Sequence, residues 1–421
     1  MTRPHPHSSL VLPAHPLLTA QAVRAACAPV MEEAEAGLSA HFVYHADRLE
    51  ACADYVADTI RQRHPDLRVP FHSRWRHFEA GGADRWAVLR NAWMDDPRDD
   101  ADIDARRDEI ARCRVELAVV SVLLDAGAGP DWRYEDPITG RTLARSEGLG
   151  VASLALYASG ALSADPEDPL RADAEALAAL DGDRLAEVFQ VSAGNPLVGV
   201  AGRVALLRRL GEAAAARPLV FGVPARIGHL HDEWRAQADA TDGRLPAEKV
   251  LETLLATLGG IWPGRMVDHG VPLGDCWPHP AAPGGLVPFH KLTQWMSYSM
   301  LEPLMEAGIA VTDLDALTGL PEYRNGGLLL DTGVLVPRDA RFLHELLRVE
   351  DPAVIEWRAL TVALLDRLAG RVRDRLGVTA EDFPLARVLE GGTWAAGRRV
   401  AAERRPDGGP PVRIDSDGTV F

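Results

Sequence analysis

Apolar positions recur along most of this chain with the 3.6-residue period of a helix, not the two-residue period of a strand. Leu49, Cys52, Val56 and Ile60 fall on one face, and His64-Pro65 ends the run, because a residue before proline is pushed out of helical conformation. From about Asp108 to Asp125 the chain is apolar all round, which predicts a central buried helix stopped by Gly127 and Gly129-Pro130. Val200, Val204 and Leu207 mark another helix. Pro246 suits a first helical turn before Val250, Leu251, Leu254, Leu255 and Leu258, and Gly259-Gly260 is a stop. Long helices are expected near 289–307 and 353–376. Strand signals are few. Leu328 to Leu335 predicts a short hairpin, and Val412 to Phe421, turning at Asp417-Gly418, a second.

The expected fold is therefore mainly α, with short β hairpins. It is one large helical domain, or two lobes around a cleft. Residues 1–14 read as a disordered lead-in, and residues 15–421 as a single helical domain. Its N-terminal lobe runs to about residue 240, and a site-bearing C-terminal lobe follows from about 241. The segments 163–170 and 405–411, rich in Asp, Pro and Gly, are loops.

Charge narrows the function classes. Against 45 basic residues stand 61 acidic ones, a formal net of -16, so a nucleic-acid polymer is repelled. A small anionic ligand is still compatible with a locally basic cleft. No apolar run reaches bilayer length, and the stretch Met1 to His7 lacks a signal pattern, so a cytoplasmic protein away from the membrane is expected. Cys27, Cys52, Cys113 and Cys276 are scattered, which fits reduced thiols.

Chemically capable side chains concentrate between Asp268 and Arg358, where they interrupt apolar helical sequence at a cost in burial. Lys291 and Gln294 stand one turn apart with Trp295 beside them, an arrangement suited to an anionic or planar polar ligand. The plain alternative is an exposed helix face. Glu322, Tyr323, Arg324 and Asn325 follow Pro321 and precede Gly326-Gly327 in a turn, which either meets a ligand or is merely solvated. Glu356 and Arg358, inside an apolar helix, are expected to tether that turn. Asp275, Cys276, His279 and His290 offer metal-ligating atoms, but their spacing fits no strong zinc pattern, and the prolines around His279 favour a loop bonding backbone or substrate. In the N-terminal half, Val69 to Phe78 holds Arg74 and Trp75 among two histidines, which suggests a phosphate and a flat ring, or else a surface loop with aromatic anchors.

The segments Gly274 to His279, Val287 to Trp295, Gly319 to Gly327 and Gly391 to Arg398 resemble the signatures of the fungal and bacterial uracil-catabolism family of the Urc/Urg type. So do Glu116 to Gly129 and Asn195-Pro196-Leu197, and the likeness covers nearly the whole chain. It implies a role in breaking down uracil through a ribosylated, ring-opened urea. The C-terminal half is also similar, in order and spacing, to the queuosine-salvage N-glycosidase family, whose fold is helical and DNA-glycosylase-like. Lys291 and Gln294, then Glu322-Tyr323-Arg324, then Gly333-Val334-Leu335, then Glu356, Arg358 and Ala359 follow that family's motifs. That family's catalytic aspartate falls on Glu322, one methylene longer.

The resemblance implies hydrolysis of an N-ribosidic bond in a ribosylurea or related pyrimidine nucleotide derivative. Glu322 and Asp275 are then the catalytic acids, Glu322 facing the sugar carbon and Asp275 bonding the urea or base with Gln294. Lys291, Arg324 and Arg74 hold a 5′-phosphate. Trp295, Tyr323 and Trp75 pack on flat groups, and Asn325, His279 and His290 complete the binding set. The partner is a small nucleoside-like substrate, with no metal or other cofactor. The rivals are a metal-dependent amidohydrolase of the same pathway, using Cys276, His279 and His290, and a non-catalytic binding partner in it.

Overall fold

The computed structural model describes residues 15–94, 103–125, 127–262 and 266–415. Helices dominate, and each strand of the described residues belongs to a two-stranded pair. The expected lead-in and Asp417-Gly418 lie outside these residues.

Where the helical period is strong, helices form. Ala46–Arg63 buries Leu49, Cys52, Val56 and Ile60 and ends at His64. Ile103–Leu123, Val200–Ala215, Ala247–Leu258, Lys291–Glu306 and Pro352–Leu376 follow the remaining signals. Pro246 stands one place earlier than expected. It is the extended N-cap of its helix and the last residue of strand Arg244–Pro246.

The chain forms two compact units, each discontinuous in sequence. One contains Arg74–Pro263 and Ser299–Thr312. Its core surrounds Ile103–Leu123, where Glu116 is fully buried yet satisfied by Arg226 Nε at 2.6 Å, the Tyr157 hydroxyl at 2.8 Å and the Gly228 N–H at 3.0 Å. The other contains His15–Ser73, Gly264–Tyr298 and Asp313–Phe421. Its long helix Pro352–Leu376 packs with Ala20–Glu35, Ala46–Arg63 and Tyr323–Asp331. The chain passes between the units inside helix Lys291–Glu306.

Two local expectations are corrected. Leu328 to Leu335 is not a hairpin: Tyr323–Asp331 is a helix, and Leu335–Pro337 pairs antiparallel with the distant Phe42–Tyr44. A short apolar run does not reveal its period, and the N-cap at Glu322 decides for a helix. The tail strand Arg413–Asp415 pairs in parallel with Leu346–Arg348, while the turn and second arm of the hairpin expected there lie outside the described residues. Cys276–Pro278, read as loop, is a strand paired with Leu286–Pro288.

Candidate functional site

The second unit brings four distant segments together. At its base, hairpin strand Cys276–Pro278 delivers Asp275 to the start of helix Lys291–Glu306. The Asp275 carboxylate receives two parallel bonds from Arg358, at 2.8 and 2.7 Å, the Trp277 indole N–H at 2.6 Å and the Lys291 backbone N–H at 3.0 Å. Burial pushes this carboxyl up, but the Arg358 guanidinium and the other donors outweigh it and hold it below the usual carboxylate range. Four donors on one carboxylate leave no free base. Through these bonds Asp275 ties the start of helix Lys291–Glu306 to Arg358. Arg358 also covers the Phe289 ring at 4.1 Å.

Glu356 and Arg358, expected to tether the Glu322–Asn325 turn, bond other segments. Glu356 accepts from the Ser39 hydroxyl and the His41 N–H and lies 3.9 Å from His279 Nε2, while Arg358 clasps Asp275. The residue between them holds the turn: the Trp357 indole donates to the Gly326 carbonyl at 3.2 Å.

Helix Lys291–Glu306 is buried around its first turns, so the Lys291 face is not a solvated one. Gln294 is wholly buried; its carbonyl oxygen accepts from the Thr318 N–H at 3.2 Å, and its Nε2 meets no partner among the described residues. An orphaned amide donor in a core is costly unless something supplies an acceptor. His290, at φ 50°, turns the chain into this helix and donates Nε2–H to the Leu17 carbonyl at 2.8 Å. His279 accepts from the Ala281 N–H through Nδ1. Burial pushes the Cys276 thiol up to about 12. His290 thus bonds backbone, while His279 meets backbone through Nδ1 and Glu356 through Nε2. Among the described residues no three His, Cys, Asp or Glu side chains gather as metal ligands.

Glu322 caps helix Tyr323–Asp331, accepting from the Arg324 N–H at 2.8 Å and the Asn325 N–H at 2.6 Å. Asn325 lies on the same helix. It is fully buried, donating to the Leu320 carbonyl at 3.0 Å and accepting from the Thr393 hydroxyl at 2.8 Å. Arg324 donates to the Gly408 carbonyl at 2.9 Å, and burial raises the Tyr323 phenol.

The Thr393 bond leads to the π-helical segment Val388–Trp394, and there to a dyad that the sequence did not single out. His72 Nδ1 lies 2.7 Å from Glu390 Oε2, both largely buried. Nδ1 donates to the carboxylate, so Nε2 carries the lone pair. No partner occupies Nε2 among the described residues. The ring stands 6.4 Å from Trp295 and 5.9 Å from Trp394. An imidazole oriented by a carboxylate, with its other nitrogen open beside aromatic walls, is built for proton transfer.

Arg74 and Trp75 belong to the other unit. Arg74 is fully buried, pairs with Asp125 at 2.9 Å and donates to Ser121 at 2.6 Å, and burial lowers its pKa. Trp75 donates to the Ser299 carbonyl under the Arg114 guanidinium. Both side chains thus make the bonds described within that core.

Residues 16–421 match the family described as "Protein of unknown function (DUF1688)". The chain belongs to this family. "Protein urg3" of Schizosaccharomyces pombe is 38% identical over 411 residues, 96% of this chain and 98% of that protein. "Uracil catabolism protein 4" of Lachancea kluyveri is 37% identical over 418 residues, 91% of this chain and 93% of that protein. In this DUF1688 member the dyad joins residues 318 apart in sequence. The one signal for it was the density of polar and aromatic residues from Val69 to Phe78; nothing in that density distinguishes His72 from Arg74.

Proposed function

We propose that this protein acts in uracil catabolism and hydrolyses the N-ribosidic bond of a ribosylurea or related pyrimidine nucleotide derivative. The printed name of the Lachancea kluyveri relative supports the pathway. The observation that carries the reaction is the His72–Glu390 dyad between Trp295 and Trp394. His72 Nε2 takes a proton from water as the water attacks the sugar carbon and the N-ribosidic bond breaks; Glu390 steadies the imidazolium, which returns that proton to the departing urea nitrogen. Glu322 acts as a fixed anion against the positive charge that develops on the sugar, since both its oxygens are already held by backbone N–H groups. The unpartnered Gln294 Nε2 offers a donor to a urea carbonyl, and Lys291 contributes positive charge beside it.

Incubation of the pure protein with ribosylurea 5′-phosphate, with urea measured, tests the reaction. Absence of urea release sinks it and leaves a binding partner. Given turnover, Glu322→Gln and His72→Gln are each expected to lower kcat by roughly 10²-fold or more. Near-normal rates would remove those residues from the chemistry.

A further inference from the structure

A different feature of the same unit shares only Trp394 with that reaction scheme. A cleft of about 520 Å³ lies between Thr59, Gln62 and Arg63, at the end of helix Ala46–Arg63, and Trp394, Arg398 and Arg399. That is the size of a small-molecule site. Its walls are pinned together by close packing. A Cβ on Gly391 would stand 2.8 Å from Val69 Cγ1, and one on Gly392 3.0 Å from Val56 Cγ1, so only glycines let the π-helical segment lie this near. Such segments are rare and gather at functional sites.

The cleft is basic on an acidic protein. Some arginines of this unit are matched to carboxylates, as Arg61 is to Asp58 and Arg371 to Glu50. Arg63 is exposed and has no ion pair or hydrogen bond among the described residues. Arg398 stands 4.9 Å from the Trp394 ring. Arg399 is partly neutralised, by Glu403 at 3.0 Å, and donates to the Thr59 hydroxyl at 3.3 Å. No carboxylate lines the cleft. Guanidinium groups match the oxygens of a phosphate, and an indole offers a surface for a flat group. We propose that this cleft binds a small phosphomonoester carrying a ring, with Arg63 and Arg398 on the phosphate and Trp394 against the ring. Trp394 also stands 5.9 Å from the His72 ring. The inference goes beyond the N-ribosidic reading, because it depends on charge and shape and not on which bond is cut.

The test is phosphorus NMR and calorimetry of the whole chain with phenyl phosphate and with inorganic phosphate. Saturable, salt-sensitive binding of phenyl phosphate is expected at one site. Arg63→Ala and Arg398→Ala should each weaken it about tenfold or more. Trp394→Leu should weaken phenyl phosphate more than inorganic phosphate. No saturable binding to the unaltered protein, or binding indifferent to Arg63→Ala, overturns the proposal. Arg63 makes no bonds that folding depends on, so its variant keeps the test clean. Urea release and phosphate binding are read separately, and each reading can fail without the other.

Discussion

At the scale of single residues, the lesson is that polar groups inside apolar sequence were correctly conspicuous but did not declare their partners. Asp275 and Arg358 each interrupt an apolar stretch, yet only the fold pairs them, across 83 positions. Both are largely buried, so breaking the pair strands a charge. Arg358→Leu should destabilise the protein by about 3–5 kcal/mol in chemical denaturation. Arg358→Lys should recover only part, because an ammonium does not reproduce the two parallel bonds. A cost for Arg358→Leu below about 1 kcal/mol would mean the clasp is not a structural anchor. Glu322 illustrates the same gap. Its position before an apolar run was legible, but its capping geometry required the turn to be built.

At the scale of elements, periodicity located the long helices well and misjudged the short ones. A helix of 25 residues such as Pro352–Leu376 repeats its pattern often enough to be read. The nine-residue helix Tyr323–Asp331 does not, and its residues from Leu328 onward read as the first part of a hairpin. Packing between elements depends on contacts the pattern cannot reveal. A Cβ on Gly397 would stand 2.2 Å from the Arg324 carbonyl oxygen, which is how helix Ala395–Arg404 lies against helix Tyr323–Asp331. Gly397→Ala should therefore cost about 1–3 kcal/mol through forced displacement. Gly370, exposed in the middle of Pro352–Leu376 with nothing within 4 Å of a new Cβ, should respond oppositely. Gly370→Ala should stabilise by about 0.5–1 kcal/mol, from helix propensity alone. Thermal melting of the two variants checks both signs; equal effects would discredit the packing argument.

At the scale of the whole molecule, stability should depend on pH in a definite direction. Burial pushes the His290 imidazole below its usual value, and the Leu17 carbonyl offsets only part of that. The unfolded chain therefore takes up this proton first as pH falls. Stability is then fully present above about pH 6.5 and declines as pH drops through the window beneath it. Melting temperatures at pH 7.5 and 5.5 should differ more for the natural protein than for His290→Asn, since asparagine tolerates the left-handed backbone there. Parallel pH profiles would count against His290 as a contributor. The sequence by itself determined the helical class, the places of the long helices and the polar segments worth attention, because these follow from local period and composition. Tertiary structure alone decided that His72 meets Glu390, that Arg358 clasps Asp275 and that Arg74 is spent inside the other unit. The physical reason is that such pairs lie far apart along the chain, where no local rule couples them, and meet only when buried surfaces bring their elements into contact.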